Sequence, residues 1–574
     1  MNKLIVRRNS FTELNDNSLT PLLQRIYGAR GIQNPVELER SLKVLLPYSS
    51  MKGIERGVLL IAEAVQRQKR ILIVGDFDCD GATSSALAVL ALRKMGASQV
   101  DFLVPNRFEY GYGLSPEIVA VAAQQSPDLL ITVDNGISSV EGVRAAKSLG
   151  IDVVVTDHHL PGAELPEADA LINPNQHGCG FPSKNLCGVG VIFYVMSALR
   201  RTLQEDEWFQ RQHIPVPNMA SFLDLVALGT VADVVTLDQN NRILVDQGLR
   251  RIRAGVARPG ILALLEVAGR TPAKIVASDL GFAVGPRLNA AGRLEDMSIG
   301  IDCLLAEDHD QARALAFQLD ELNQDRKSIE QSMQDQALTI LDSMELDTNG
   351  NFPVGLCLFD ESWHEGVIGI LASRIKERFH RPVIAFAPAE NGMIKGSARS
   401  IPKLHIRDAL DAVAARDPRL LSKFGGHAMA AGMSLKQEHF EAFSKAFDEE
   451  ARRLLLEEDL QARIDSDGEL DSDEMNLEMA QLLRDAGPWG QNFPEPIFDG
   501  VFDLIQQRIV GQRHLKLVLA EPRSGFCVDA IAFNVDLGLW PSDSSQAKVA
   551  YKLDINEFRG RTSVQFLVDY LEPL

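Results

Sequence analysis

Hydrophobic and polar positions follow two periods along the chain, and the change from one to the other marks its elements. Short apolar runs at 71–74, 129–133 and 153–156, with a further one at 99–104, are strand-like. Between and before them, residues 57–68, 83–94, 115–123 and 140–148 carry helical spacing. Strands and helices alternating at these lengths predict a parallel sheet with helices on both faces. Residues 1–50, mixed in character and interrupted by Pro35 and Pro47, read as a helical lead-in. From 307 to 344 the pattern is polar, without Gly or Pro, with Leu315, Leu319, Leu322, Ile329 and Met333 at roughly helical spacing. A single helix there would span about 57 Å, a strut rather than a core element.

Beyond residue 352 the strand signal returns in VGLCLF and PVIAFA, and WHEGVIGILASRIKERF reads as a helix entered through Gly366. Residues 441–479 are acidic and predict a helix followed by a solvated linker. After Gly487-Pro488-Trp489-Gly490 come the strand-like segments HLKLVL, CVDAIAF, KVAYKLDI and TSVQFLVDYL, in which Val564, Phe566 and Val568 alternate. Several short strands with Arg513, Lys516, Tyr551, Arg559 and Arg561 interleaved suggest a small barrel.

Composition narrows the class. Within 574 residues, 45% are apolar and 24% charged, an ordinary globular balance with room for three or four domains. No apolar run is long enough to span a bilayer, and the N-terminal residues lack the apolar core of a signal peptide, so a cytoplasmic protein without membrane contact is expected. Six cysteines without a dense framework fit a reducing compartment. The net charge of −20 argues against non-specific coating of nucleic acid, but not against an enzyme that meets phosphates through metal ions and a local basic groove.

The candidate chemistry sits where apolar runs end. After 71–74 come Gly75, Asp76, Asp78, Asp80 and Gly81. If the backbone stays extended, alternation aims the three carboxylates to one side, and a divalent cation would relieve their repulsion. An acidic turn capping the next helix is the competing reading. Asp134 follows the run LLITV, Asp157, His158 and His159 follow VVVT, and Asp233 lies near the end of LVALGTVADVV. Converging at strand ends of one sheet, such a set suits Mn²⁺ or Mg²⁺, with a carboxylate bridging two ions. His177, Cys179 and Cys187 lack a suitably spaced fourth ligand for zinc, and Gly188-Val189-Gly190 lacks the third glycine of a dinucleotide fingerprint. Between Leu371 and Leu410, eight basic residues face three acidic ones, a candidate phosphate track inside an acidic chain. Within it Gly396-Ser397-Ala398-Arg399-Ser400 combines small residues with a guanidinium that can grip a phosphate bidentately. Gly425-Gly426-His427 could serve alike, or form a turn before a tightly packed helix.

The motifs DFDCDG, VDNG, DHH and VAD, in this order and spacing, resemble the DHH phosphoesterase family. GPRLNAAGR (285–293), SWHEGVIGI (362–370), GSARS (396–400) and FGGHAMAAG (424–432) are similar to its RecJ branch of single-strand-specific 5′→3′ DNA exonucleases. The resemblance implies an α/β architecture: a lead-in (1–50), a DHH parallel-sheet catalytic domain (51–306), a long connecting helix (307–345), a smaller DHHA1 α/β substrate-binding domain (346–461) and a C-terminal OB-fold β-barrel (462–574). It implies two Mg²⁺ or Mn²⁺ ions, with Asp78 on one, Asp80, His158 and Asp233 on the other, and Asp134 bridging them. Asp76 and Asp157 would orient ligands, and His159 would face substrate or support His158. Substrate contacts would come from Arg107, Arg287, Ser397, Arg399, Gly425, Gly426 and His427. In the pyrophosphatase members a histidine stands at the position held here by Val74, which implies a weaker first metal.

The expected activity is hydrolysis of single-stranded DNA to 5′-mononucleotides in DNA repair and recombination. A monomer working with single-strand-binding protein and a helicase is expected, its second domain facing the metals across a cleft. Two alternatives stay open: a phosphodiesterase of short oligonucleotides or cyclic dinucleotides, and a non-catalytic replication scaffold binding single-stranded DNA. The first has no need of the terminal barrel, and Phe424 replaces a glycine frequent in that branch. The complete ligand set speaks against the second.

Overall fold

The computed structural model describes residues 3–9, 14, 16–106, 109–110, 113–343 and 352–574, and the chain packs as two units. The most N-terminal strand, β1 (Leu4–Arg7), belongs to the unit that also holds residues 324–477 and 497–574. The other unit, residues 9–323 and 478–496, carries the parallel sheet.

That sheet consists of β2 (Ile71–Val74), β3 (Val100–Leu103), β4 (Leu129–Val133), β5 (Asp152–Thr156) and β6 (Ala170–Ile172), in the order β3-β2-β4-β5-β6 with every pair parallel. β2 and β4 are buried at every position, which is why they read as unbroken apolar runs. The chain leaves β2 for β3 on one side, then returns to the other side of β2 for β4. The order reverses between β2 and β4, and the carboxyl ends there open the crevice in which such sheets take their ligands. Helices Ile54–Gln66, Pro116–Ala123 and Val140–Ser148 lie close to the expected positions, and the Ser115 hydroxyl caps the second of them at Ile118 N.

Two expectations about the site-bearing segments are corrected. Helix Cys79–Lys94 begins four residues earlier than the pattern suggested, so Asp76, Asp78 and Asp80 do not alternate on an extended strand. Asp78 is the N-cap, its Oδ1 accepting from Asp80 N (2.9 Å) and Gly81 N (3.0 Å). The capping reading and the ligand reading are therefore compatible: the cap fixes the turn that presents the carboxylates. Asp233 follows a helix, Leu223–Ala232, not a strand. Residues 223–230 are all buried, and a short run that is apolar on every side has no period to separate a strand from a buried helix.

Helix His309–Ser343 fills most of the segment expected to be a single helix. Its 35 residues span about 52 Å at 1.5 Å each. Leu319, Leu322 and Met333 are buried along it.

In the other unit, β7 (Leu356–Phe359), β8 (Val383–Pro388), β9 (Met393–Arg399), β10 (Lys423–Gly426) and β11 (Ala430–Lys436) form a sheet in the order β10-β11-β9-β8-β7. Only β7 and β8 run parallel. Gly425-Gly426 ends β10 and AMAAG leads into β11, a hairpin rather than a turn before a helix. β12 (Arg463–Ser466) pairs parallel with β1, so the N-terminal stretch holds a strand as well as helical turns. The acidic segment is correspondingly less solvated than expected: Ser466 and Asp467 are buried, and Ser466 Oγ donates to Asp499 Oδ1 at 2.5 Å.

The barrel closes through β13 (Phe498–Val510), β14 (His514–Ala520), β15 (Cys527–Ala532), β17 (Arg561–Pro573) and β16 (Gln546–Phe558). Its first strand escaped the pattern because a bulge between Leu504 and Gln506 shifts the register and breaks the alternation. Residues 478–496 pack in the unit of the parallel sheet, where Trp489 stacks on Phe493 (5.2 Å between centroids) and Tyr27 lies against both.

Candidate metal centre

β2, β4 and β5 deliver Asp76, Asp78, Asp80, Asp134, Asp157, His158 and His159 to the carboxyl edge of the sheet, and helix Leu223–Ala232 adds Asp233 from outside it. Three overlapping groups of ligand atoms form, each within 4.8 Å: Asp76, Asp78 and Asp134; Asp80, His158 and Asp233; Asp134, His158 and His159. Asp134 is common to the first and third groups, and His158 to the second and third. His158 Nε2 lies 3.1 Å from Asp134 Oδ1 and 3.6 Å from Asp233 Oδ2. Asp134 is buried with φ of +63°, a left-handed conformation that Asp tolerates better than most residues.

The surrounding backbone holds these carboxylates in place. Gly188 N and Val189 N, at the start of helix Gly188–Glu205, donate to Asp80 at 2.5 and 2.9 Å. A Cβ on Gly188 would lie 2.5 Å from that of Asp134, and one on Gly229 would meet Thr83, Val189 and Asp80. Asn289 Oδ1 accepts from Cys79 N at 2.8 Å, tying helix Gly285–Leu294 to the acidic turn. The GVG run and the GPRLNAAGR motif were visible in the sequence, but nothing local marks Gly188, Gly229 or Asn289 as supports of the acidic site.

Burial and mutual repulsion set the protonation. Burial, then the Asp78 charge, pushes Asp80 up to about 7, and burial with neighbouring carboxylates pushes Asp134 and Asp233 well above the carboxylate range. Burial and the neighbouring His159 lower His158 to about 4, leaving its imidazole neutral and able to ligate. Burial opposes charge on His159, yet the bond to Asp157 outweighs it and lifts the ring to about 9. Burial likewise opposes charge on Asp157, but the His159 hydrogen bond and charge hold it below its ordinary value. Asp157 Oδ1 lies 2.8 Å from His159 Nδ1 and accepts from the backbone N of both histidines, while Oδ2 accepts from Ile137 N. Buried, mutually repelling carboxylates beside a neutral imidazole fit oxygen- and nitrogen-ligated divalent ions, and His158 Nε2 and Asp233 Oδ2 make no hydrogen bond among the described residues.

The remaining expected contacts fall elsewhere. Arg287 pairs with Asp320 at 2.8 Å and donates to Ala283 O. Ser397, Gly432 and Gly425 stand side by side across β9, β11 and β10, and Arg399 pairs with Ala430. Arg399 Nη1 donates to Ser397 Oγ (3.0 Å), and burial lowers its guanidinium. A Cβ on Gly369 would lie 2.8 Å from Arg399 Nη2 and 3.0 Å from Ser397 Oγ, so both side chains approach the first turn of helix Ile368–Phe379. His427 N donates to Ala430 O. Arg107 lies outside the described residues. His177, Cys179 and Cys187 enter no metal-like group among the described residues; Lys52 Nζ donates to His177 O and Lys52 N to Cys179 Sγ.

Comparison with known proteins adds three regions and close relatives. Residues 70–230 match the DHH family N-terminal domain, 351–453 the DHHA1 domain and 466–570 the RecJ OB domain. The single-stranded-DNA-specific exonuclease RecJ of Escherichia coli is 56% identical, the alignment covering 99% of each chain. The protein of that name from Haemophilus influenzae is 53% identical over 100% of both. The crystal structure of RecJ in complex with Mn²⁺ from Thermus thermophilus superposes with a TM-score of 0.78 at 30% identity, covering 97% of this chain and 76% of that one.

Proposed function

The chain belongs to the RecJ family of single-stranded-DNA-specific exonucleases, and on that premise we propose that it hydrolyses single-stranded DNA from the 5′ end to 5′-mononucleotides with two divalent ions. The observation that carries this reading is the pair of ligand groups at the β2/β4 switch point. Asp76, Asp78 and Asp134 would hold one ion, and Asp80, His158 and Asp233 the other, with Asp134 standing between them through the third group, in which its Oδ1 lies 3.1 Å from His158 Nε2. Asp76 thereby joins the candidate ligands instead of only orienting them. Mn²⁺ or Mg²⁺ bound there supplies positive charge to a phosphodiester and acidifies water.

The protein's own groups do the rest. Gly188 N and Val189 N hold Asp80, and Asp157 anchors both histidine backbones while keeping His159 charged to meet a phosphate oxygen. Neutral His158 keeps its lone pair for a metal. Ser397 and Arg399 are assigned to the 5′-terminal phosphate, with Gly425 and Gly426 on β10 and His427 in the turn that follows as further backbone contacts. The barrel adds affinity for unpaired bases. Cytoplasmic action in repair and recombination, alongside single-strand-binding protein and a helicase, belongs to the same proposal. No helix among the described residues is long and apolar enough to cross a membrane.

Digestion of end-labelled single-stranded and blunt duplex DNA, with Mg²⁺, with Mn²⁺ and with chelator, tests this directly. Metal-dependent release of mononucleotides from the 5′ end of single strands is expected. Activity that survives chelation, or that begins at the 3′ end, refutes it.

A further inference from the structure

Beside the metal centre the chain makes a π-helical turn, Leu280–Val284, that feeds helix Gly285–Leu294. Such turns carry one residue more than an α-helical turn and are frequent at functional sites. Phe282 sits within it and is 86% exposed, while no other residue from Asp279 to Leu294 is more than partly exposed before Glu295. The turn is held against the Asp233 helix: a Cβ on Gly281 would lie 3.1 Å from Val231 Cγ1, and one on Gly285 3.2 Å from Ala232 Cβ. Its downstream helix reaches the acidic turn through Asn289 and Cys79 N. Directly after Asp233, Val234 is 61% exposed with φ of +60°, a conformation that β-branched residues rarely adopt. A single exposed apolar side chain is ordinary. A phenylalanine presented by a π-turn, with its flanking glycines packed on the helix that ends at Asp233 and its downstream helix bonded to the acidic turn, offers an apolar ligand surface beside the metal ligands.

We infer that Phe282 is a base-stacking residue that positions an unpaired nucleotide at the metal centre. The inference rests on the exonuclease reading, under which bases must pass this edge as their phosphates reach the ions. An aromatic face suits a nuclease that accepts every sequence, because each base offers a π-face while hydrogen-bond readout would discriminate. A duplex has its bases already stacked and offers no free face.

The test uses the full-length protein and 5′-phosphorylated, end-labelled single strands, either intact or with one abasic nucleotide at successive positions from the 5′ end. Wild-type protein is expected to slow about five- to hundredfold when the abasic position reaches Phe282, the range one base–aromatic stack carries. Phe282→Ala should slow by a similar factor on intact DNA and show no added abasic penalty. Phe282→Tyr should retain both the rate and the penalty, and Phe282→Leu neither. Wild-type rates in Phe282→Ala, or an abasic penalty that survives the substitution, overturn the inference. Full activity in Phe282→Leu also overturns it and makes the side chain an apolar docking contact instead. Should the wild-type protein digest no single strand in Mn²⁺, the exonuclease reading itself fails, and this inference with it.

Discussion

At the scale of single residues, the site turns on Asp134 at the metals and on Arg399 at the other end of the substrate. Asp134 contributes to two of the three ligand groups, and its backbone lies in the left-handed region. Asp134→Ala is expected to abolish cleavage with either metal while DNA binding persists, measured by filter binding beside single-turnover digestion. Near-normal turnover in Mg²⁺ would remove the shared-ligand assignment. Arg399 tests the other end of the substrate. Its guanidinium is half-buried beside Ser397 and meets no carboxylate among the described residues, so an anionic ligand is its natural partner. Arg399→Ala is expected to lose the preference for phosphorylated over hydroxyl 5′ ends, by about ten- to hundredfold for one charge-assisted contact. Equal loss on both kinds of end would make it a general backbone contact.

At the scale of elements, the start of helix Gly188–Glu205 matters more than its length. Two of its first backbone N–H groups donate to Asp80, and Gly188 permits the approach of Asp134 because it has no Cβ. Gly188→Ala would push a methyl into the Asp134 carboxylate, whose Oδ1 would lie at 2.7 Å. Overpacking of this kind costs about 1–3 kcal/mol, and displacement of a ligand adds to it. The expected result is at least a tenfold loss of Mn²⁺ affinity by calorimetric titration with the helix content unchanged. Retained affinity would show that the edge can yield without disturbing the ions.

At the scale of the molecule, the acidic centre couples metal binding to stability. Asp80 is raised to about 7 in the folded, metal-free protein, above the value near 4 of an unfolded aspartate. The folded state therefore holds that proton more tightly, and stability falls as pH rises from about 4 until it passes about 7. Asp134 and Asp233, raised by the same burial and repulsion, act in the same direction and together outweigh His158, whose lowered value favours the folded state as pH rises from about 4. With chelator, the melting temperature should therefore decline across that window, and Mn²⁺ should raise it more at pH 8 than at pH 5. A metal effect independent of pH would contradict this linkage. The segment 478–496 gives a second test. Leu237 N donates to Gln491 O, Arg242 lies over Phe493 at 4.3 Å, and Trp489 stacks beside Tyr27. Trp489 is half-buried, and Trp489→Ala should destabilise the parallel-sheet unit by about 1–3 kcal/mol in urea denaturation. Truncation after Pro496 should spare that unit and weaken DNA binding, whereas truncation after residue 461 should destabilise it. Equal stability of the two truncated chains would mean that 478–496 adds nothing to the unit.

Local order was legible in the residues alone. The apolar runs marked β2, β4 and β5 because both faces of a parallel sheet are covered, and the long polar segment without Gly or Pro marked helix His309–Ser343. The acidic and imidazole residues at run ends pointed to Asp78, Asp80, Asp134, His158 and Asp233 as candidate ligands, since their chemistry travels with their side chains. The resemblance assigns Asp76 and His159 other roles, and they join the ligand groups only through the packing. Tertiary structure decided the rest. Asp233 comes from a helix, because uniform burial erases the periodicity that would separate helix from strand. Gly188 and Val189 hold Asp80 through backbone N–H groups, which every residue except proline carries, so no residue type announces them. Asn289, Phe282 and the return of residues 478–496 depend on which distant elements pack together, and that choice belongs to the whole core rather than to any window of sequence.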